Sequence, residues 1–313
     1  MNKCKLSKAI SSLNIKEIKL LLESGQCSLN GDGYERFSPL IECITSEVSR
    51  RRYGFDGKAA RGFTHDEVDA RKCEILEVLL RNGAKINAPF VSDHSNFVLR
   101  GETAVMLAAR RGYLRCLRLL VESGADLTVV SRFKNTALIF SVEAEQVECV
   151  KYLAEHTPAS MLNHRGQHGM TALMCATFFS GENRLLCMQH LIKSGVDVNA
   201  TDADGKTALA IAVANGNTEA MTLLLQEKAL VNSVSNDGLT VLSLALENAT
   251  FSFATYKSVV GVVNKLFQYG ADPTLSRRHR DFLHVAVMYV DNAMVKTLVK
   301  NAFPHWIVSG IET

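Results

Sequence analysis

Apolar residues recur along this chain in paired short runs, each pair separated by a glycine or a polar turn. One such pair reads Ala208-Leu209-Ala210-Ile211-Ala212, then Asn215-Gly216-Asn217, then Met221-Thr222-Leu223-Leu224-Leu225. Another runs from Ala104-Val105-Met106-Leu107-Ala108-Ala109 through Gly112 to Leu117-Arg118-Leu119-Leu120-Val121. Leucines at helical spacing in the second run predict a helix with one apolar stripe. The small alanines of the first run predict a second helix that neighbours approach closely. Leu119 is assigned to the apolar seam along with the other leucines of its run.

The pairs repeat at a fixed period. A Thr-x-Leu-like box opens the first helix at Thr103, Thr136, Thr171, Thr207 and Thr240, at intervals of 33, 35, 36 and 33 residues. A period of this length marks stacked helical units rather than a closed globule. The threonine hydroxyl is placed to accept a backbone N–H at the helix start. Gly83, Gly124, Gly195 and Gly270 follow the second helices, where the chain is expected to turn left-handed. Asp204-Gly205 and Asp237-Gly238 suit tight turns before two of the boxes. Two junctions depart from the pattern: Lys228 stands at one glycine position, and after Leu153 the run Glu155-His156-Thr157-Pro158 has no glycine, so Pro158 should stop that helix.

The copies extend further as Ser38-Pro39-Leu40-Ile41, Thr136-Ala137-Leu138-Ile139, Thr171-Ala172-Leu173-Met174, Thr240-Val241-Leu242-Ser243 and Asp281-Phe282-Leu283-His284. Together they resemble ankyrin repeats, whose pattern is Gly-x-Thr-Pro-Leu-His-x-Ala-Ala, a glycine, then Leu-Leu-x-x-Gly-Ala-Asp-x-Asn. The resemblance implies an all-α solenoid of helix-turn-helix units with short β-hairpin or turn fingers. Over 1–313 it gives a single array: a capping half-repeat at 1–30, then repeats at 31–87, 88–127, 128–163, 164–199, 200–232, 233–274 and a terminal 275–313.

The array is expected to be interrupted. The first full repeat is long by 24 residues, placed between its helices at 46–70, including the basic Arg50-Arg51-Arg52 and a glycine-containing stretch. Such an excursion is either disordered or functional. The connection from Gly83 to Thr103 carries Pro89, Phe90, Val91, Phe97 and Val98, which either form a docking point or, the favoured reading, fold back onto the array.

Composition narrows the function classes. A hydrophobic content of 47% supplies a continuous core, while a net charge of +3 is too small to argue for a nucleic-acid binder. The triplet Arg50-Arg51-Arg52 and the pair Arg277-Arg278 lack the aromatic interleaving of a stacking platform. No run reaches the roughly 18 apolar residues that span a bilayer. The eight cysteines form no Cys-x-x-Cys pair, and Cys116 and Cys149 fall on expected helix faces as small apolar residues. This pattern points to a reduced compartment, cytoplasmic or nuclear.

Catalytic chemistry finds no foothold. Gly57 to Thr64 approximates a phosphate-cradling loop, but Phe63 stands where the lysine is required. His164 and His168 fall in a turn, and with Cys187 and His190 they lack the paired spacing of zinc modules. Neither a nucleophile elbow nor a His-Glu-x-x-His motif occurs. No catalytic, cofactor or metal residue is assigned, and no small-molecule substrate or membrane is expected.

What the resemblance implies instead is a non-enzymatic interaction module or scaffold that binds one or more proteins along a concave groove and its fingers. On the fingers this places Arg132, Lys134, Arg165, Lys206, Arg277 and Arg278, a partly basic row suited to an acidic segment. On the inner helices it places Arg110 and Arg111, Phe178 and Phe179, and Met288 and Tyr289, arginines and large apolar side chains of the kind that anchor interfaces. The alternative is the substrate-receptor part of a ubiquitin ligase. The tail after the last repeat is too short for a recruiting box, so that box would lie outside this chain.

Overall fold

Each box threonine or serine does begin a helix, and the local chemistry shows why. In the computed structural model, which describes residues 2–25, 29, 38–46, 64–90, 101–249 and 256–275, Thr136 and Thr207 Oγ1 accept the backbone N–H three residues on at 3.3 Å. Thr171 does so at 3.4 Å, Thr240 at 3.2 Å and Ser38 at 3.5 Å. Thr103 is the exception, since its buried hydroxyl has no hydrogen-bond partner. A side-chain cap contributes about 1 kcal/mol.

The chain divides into two units, Met1–Gln167 and His168–Thr313. The first holds α1 (Asn2–Ser11), α2 (Ile15–Glu23), α3 (Pro39–Thr45), α4 (His65–Arg81), α5 (Ala104–Arg111), α6 (Leu114–Glu122), α7 (Ala137–Glu143), α8 (Val147–His156) and α9 (Ala159–Leu162). Within it α3 packs on α5 and α5 on α7, while α4 packs on α6 and α6 on α8. First helices therefore stack on first helices and second on second, each pair also packing within its own repeat. The second unit holds α10 (Ala172–Thr177), α11 (Glu182–Lys193), α12 (Ala208–Ala214), α13 (Thr218–Gln226), α14 (Val241–Ala249) and α15 (Tyr256–Gln268). It is built the same way, α10 on α12, α12 on α14 and α11 on α13. Among the described residues β structure is confined to two isolated antiparallel bridges, Thr201 with Thr207 and Val234 with Thr240, at the turns before two boxes.

The core follows the predicted periodicity with one shift. Ala104 to Ala109 of α5 are buried all round, as expected for a short helix packed on both sides. On α6 it is Cys116, Leu117 and Leu120 that are fully buried, whereas Leu119 is half-buried. The helical turn of 100° per residue carries Leu119 to the flank of the stripe, so it does not belong to the seam. Gly83, Gly124, Gly195 and Gly270 all take φ between 84° and 90°, the left-handed turn expected of them. Lys228 takes the same turn at φ 62° without a glycine's freedom. Before Pro158, α8 ends at His156.

Helix α4 corrects one boundary. It begins at His65, capped by Thr64 Oγ1 and by Glu67 reaching back to the Thr64 N–H at 2.9 Å. Residues 65–70, expected to belong to the insert, are thus the first turns of a 17-residue helix. The capping box outweighed the period argument. The rest of the insert, including Arg50-Arg51-Arg52, and the terminal repeat from 276 onward lie outside the described residues, as do Val91, Phe97 and Val98. Phe90 is half-buried and pairs with Glu102, its N–H donating to the Glu102 carbonyl at 2.7 Å.

Candidate protein-binding surfaces

One register position recurs on the first helices: the residue seven places after the box, which in two repeats bonds to the residue just before the box. In successive repeats the pair is Glu102 with Arg110, Asn135 with Glu143, Met170 with Phe178 and Lys206 with Ala214. The first is an ion pair, Arg110 NH2 donating to Glu102 Oε1 at 2.6 Å, with Glu102 fully buried. The Arg110 guanidinium also lies 4.0 Å from the centroid of the Phe140 ring. Burial pushes the Glu102 carboxyl above its ordinary value, and Arg110 partly offsets that. Arg110 was expected to serve a partner. It also neutralises a buried carboxylate, with 28% of its side chain still exposed, and Arg111 beside it is exposed. In the next repeat Asn135 Nδ2 donates to Glu143 Oε1 at 3.1 Å, and Asn135 Oδ1 accepts the Gln167 N–H at 2.9 Å.

The third repeat breaks the series. At the same two positions stand the apolar Met170 and Phe178, and the helix before Phe178 stops after six residues. Two side chains hold the stop. Arg184, almost fully buried, donates through NH1 to the Cys175 carbonyl at 3.0 Å. Asn217 Nδ2 donates to the carbonyls of Thr177 at 3.2 Å and Phe179 at 2.9 Å, while its Oδ1 caps α13 by accepting the Ala220 N–H at 3.1 Å. The carbonyls freed at the helix end are thereby satisfied. Phe178 and Phe179 are then presented at 40% and 64% exposure, their ring centroids 6.0 Å apart and tilted by 56°. The Arg184 guanidinium lies 5.2 Å from the Phe179 ring centroid, a cation–π contact that fixes the ring from below.

The fingers of the first unit bring three cations onto neighbouring turns. Arg132, Lys134 and Arg165 are all exposed. Their two turns are tied together by His164 Nε2, 2.8 Å from the Lys134 carbonyl oxygen, and by the Asn135–Gln167 bond. Lys134 itself sits at φ 62°. In the second unit Lys206 is half-buried, 4.0 Å from the exposed Asp204 carboxylate. Arg277, Arg278, Met288 and Tyr289 lie outside the described residues.

Three polar residues that sequence reasoning passed over organise the helix ends. Lys72 on α4 is fully buried and donates from Nζ to the carbonyls of Cys43 at 2.6 Å, Ile44 at 3.0 Å and Ser46 at 2.8 Å. Asp69, one turn earlier, accepts the N–H groups of Arg115 at 2.8 Å and Cys116 at 3.1 Å, capping α6 from a neighbouring helix. Arg184 is the third. A signal was present: Lys72, Tyr113 and Arg184 each stand eleven residues before the left-handed glycine of their repeat, and Asn217 stands eleven before Lys228. A cation at that position coincides with a first helix that lacks the usual left-handed close.

The thiols read as structural. Cys43, Cys116, Cys149, Cys175 and Cys187 are all buried. Burial pushes Cys43 and Cys149 up to about 12 and Cys116 higher still, so the nucleophilic thiolate is not formed at neutral pH. Among the described residues no cluster of three or more His, Cys, Asp or Glu is placed to hold a metal ion, and no helix is long and apolar enough to cross a membrane.

Comparison with known proteins agrees with this architecture. A family model described as ankyrin repeats (3 copies) matches residues 105–202 and 178–277. The chain is 30% identical over 234 residues to ankyrin repeat and KH domain-containing protein mask-1 of Caenorhabditis elegans, covering 64% of this chain and 8% of that protein. It is 30% identical over 211 residues to human ankyrin repeat and SOCS box protein 6, covering 62% of this chain and 49% of that one. Neurogenic locus notch homolog protein 1 of Xenopus laevis is 28% identical over 224 residues, 72% of this chain and 8% of its own length. The chain thus spans from under a tenth to about half of these relatives. Among solved structures, the ankyrin repeat domain of Bcl-3, an IkappaB family member, shares the fold with a TM-score of 0.59 at 22% identity, over 77% of this chain and 92% of that domain. The boxes, the paired helices stacked like on like and the matched family model together establish that this chain belongs to the ankyrin-repeat family.

Proposed function

We propose that this protein is a non-enzymatic interaction module, and that its second unit docks a partner protein on the Phe178–Phe179 turn. The observation that carries the reading is Phe179, left 64% exposed on a turn that a buried Arg184 and a buried Asn217 hold in place. Aromatic side chains over a rigid polar scaffold lose little entropy on binding and make good anchors. Repeats of this family serve as protein-interaction modules, which supports the coarse statement. The Arg132, Lys134 and Arg165 cluster supports a finer one, that the first unit attracts an acidic segment of a partner. We carry forward the single array over 1–313 with its repeat boundaries, and residence in the cytoplasm or nucleus. Unpaired thiols such as Cys43 and Cys116 suit a reducing compartment.

A second reading is the substrate-receptor part of a ubiquitin ligase whose recruiting box lies outside this chain. The similarity to human ankyrin repeat and SOCS box protein 6 favours it, at 30% identity over 62% of this chain.

Proximity labelling in cells with wild type, Phe178→Ala/Phe179→Ala and Arg132→Glu/Lys134→Glu/Arg165→Glu tests both surfaces. Each variant should lose a specific set of partners at unchanged melting temperature. Identical partner lists from all three would remove the proposal. Ligase subunits retained by every variant would favour the second reading.

A further inference from the structure

The second helices of the second unit leave an open groove of about 580 Å³ over α13, between α11 and α15. Leu185, Met221, Leu223 and Val262 contribute apolar surface to it. This face is built from second helices, whereas the Phe178–Phe179 turn closes a first helix. Lys265 Nζ donates to Thr222 Oγ1 at 2.7 Å, tying α15 to α13 along the groove. Glu219, in the first turn of α13, lines it as an exposed carboxylate with no ion pair among the described residues.

Gly261 gives the groove its meaning. It lies inside the 13-residue helix α15, away from either end, and is exposed on the groove wall. Its φ is not positive, and a Cβ placed on it would meet nothing within 4 Å. Neither backbone conformation nor packing within the described chain calls for glycine there. Yet glycine inside a helix costs about 0.5–1 kcal/mol relative to alanine. The missing side chain leaves room there for close approach of another backbone.

We propose that this groove receives an amphipathic helix of a partner protein. Its apolar stripe carries small residues where it crosses Gly261, and a lysine or arginine meets Glu219. A furrow between helices takes a helix rather than a strand, because it offers apolar ridges and no free backbone hydrogen-bonding edge.

The test uses the full chain as bait for a displayed library of helical peptides of about 20 residues. Selected peptides are then titrated by fluorescence anisotropy against wild type, Gly261→Leu, Glu219→Lys and Phe178→Ala/Phe179→Ala. The expected result is enrichment of amphipathic sequences with small residues in the apolar stripe and a basic residue on its flank. Their affinity should fall about tenfold or more for Gly261→Leu and for Glu219→Lys, and stay unchanged for the phenylalanine variant. Both groove substitutions sit on exposed positions, and melting curves check that each remains folded. Should Gly261→Leu melt early, the Glu219→Lys result alone decides. Peptides that bind both groove variants as tightly as wild type, a selection dominated by extended proline-rich sequences, or no enrichment above background would overturn the proposal.

Discussion

Lys72 and Cys43 are joined across 29 residues of sequence by a 2.6 Å hydrogen bond from a fully buried ammonium to a carbonyl oxygen at the end of α3. With the Ile44 and Ser46 carbonyls also on Nζ, the lysine closes the C-terminus of α3 where the chain has no left-handed glycine. Positive charge at that end also complements the helix dipole. Lys72→Met leaves three carbonyls without their donor in a dry site. It should destabilise the first unit by about 2–4 kcal/mol in urea unfolding. A loss below about 0.5 kcal/mol would show that water reaches those carbonyls.

Glu42, on the same helix, makes folding depend on pH. Ser7 Oγ donates to its Oε1, its Oε2 is buried with no hydrogen-bond partner, and burial pushes the carboxyl up to about 7. The folded state then keeps a proton that the unfolded chain releases above its ordinary value of 4.5. Stability is therefore full below that value and falls as pH rises through about 7. Because the residue is only half-buried, the expected loss is about 1–2 kcal/mol. Thermal melts at pH 5 and pH 8 should differ less for Glu42→Gln than for wild type.

Neighbouring leucines on α6 should separate sharply. Leu120→Ala opens a cavity in the stripe and should cost about 2–4 kcal/mol, whereas Leu119→Ala on the flank should cost about half that or less. Equal losses in chemical denaturation would put the register wrong by one residue.

Lys228 holds φ 62° at a place where four other repeats have glycine. Lys228→Gly should stabilise the second unit by about 0.5–1 kcal/mol, relief of the left-handed strain exceeding the added chain entropy. A lower melting temperature would mean that the lysine side chain contributes contacts of its own.

The aromatic turn should be separable from folding. Phe178→Ala/Phe179→Ala should change stability by about 0.5 kcal/mol or less and lower partner affinity about tenfold or more. Arg184→Ala should do both, because it frees the Cys175 carbonyl and removes the charge beneath Phe179. Its expected cost is about 1–3 kcal/mol by thermal unfolding. If Arg184→Ala leaves the partner affinity untouched, the turn does not need its clamp.

Periodicity alone was enough to read the paired helices, four of the five capping threonines, the left-handed glycines and the helix stop before Pro158. Those features rest on interactions within about four residues of one another, and short-range chemistry repeats wherever the residues do. The exposure of Phe178 and Phe179 was legible only in part, since the turn that presents them is held by Asn217, 38 to 40 residues away. The pairing of Arg110 was not legible, because Glu102 and Phe140 meet it only once two helices and a turn have folded together. The same holds for Lys72, whose acceptors lie 26 to 29 residues away. Leu119 fell on the wrong side because a leucine-rich run of four marks a helix face only to within one residue. Local patterning determined which segments are helices and how they repeat. Tertiary packing decided which charged side chains are paired inside the fold and which stay exposed, because burial and pairing depend on neighbours the sequence does not bring side by side.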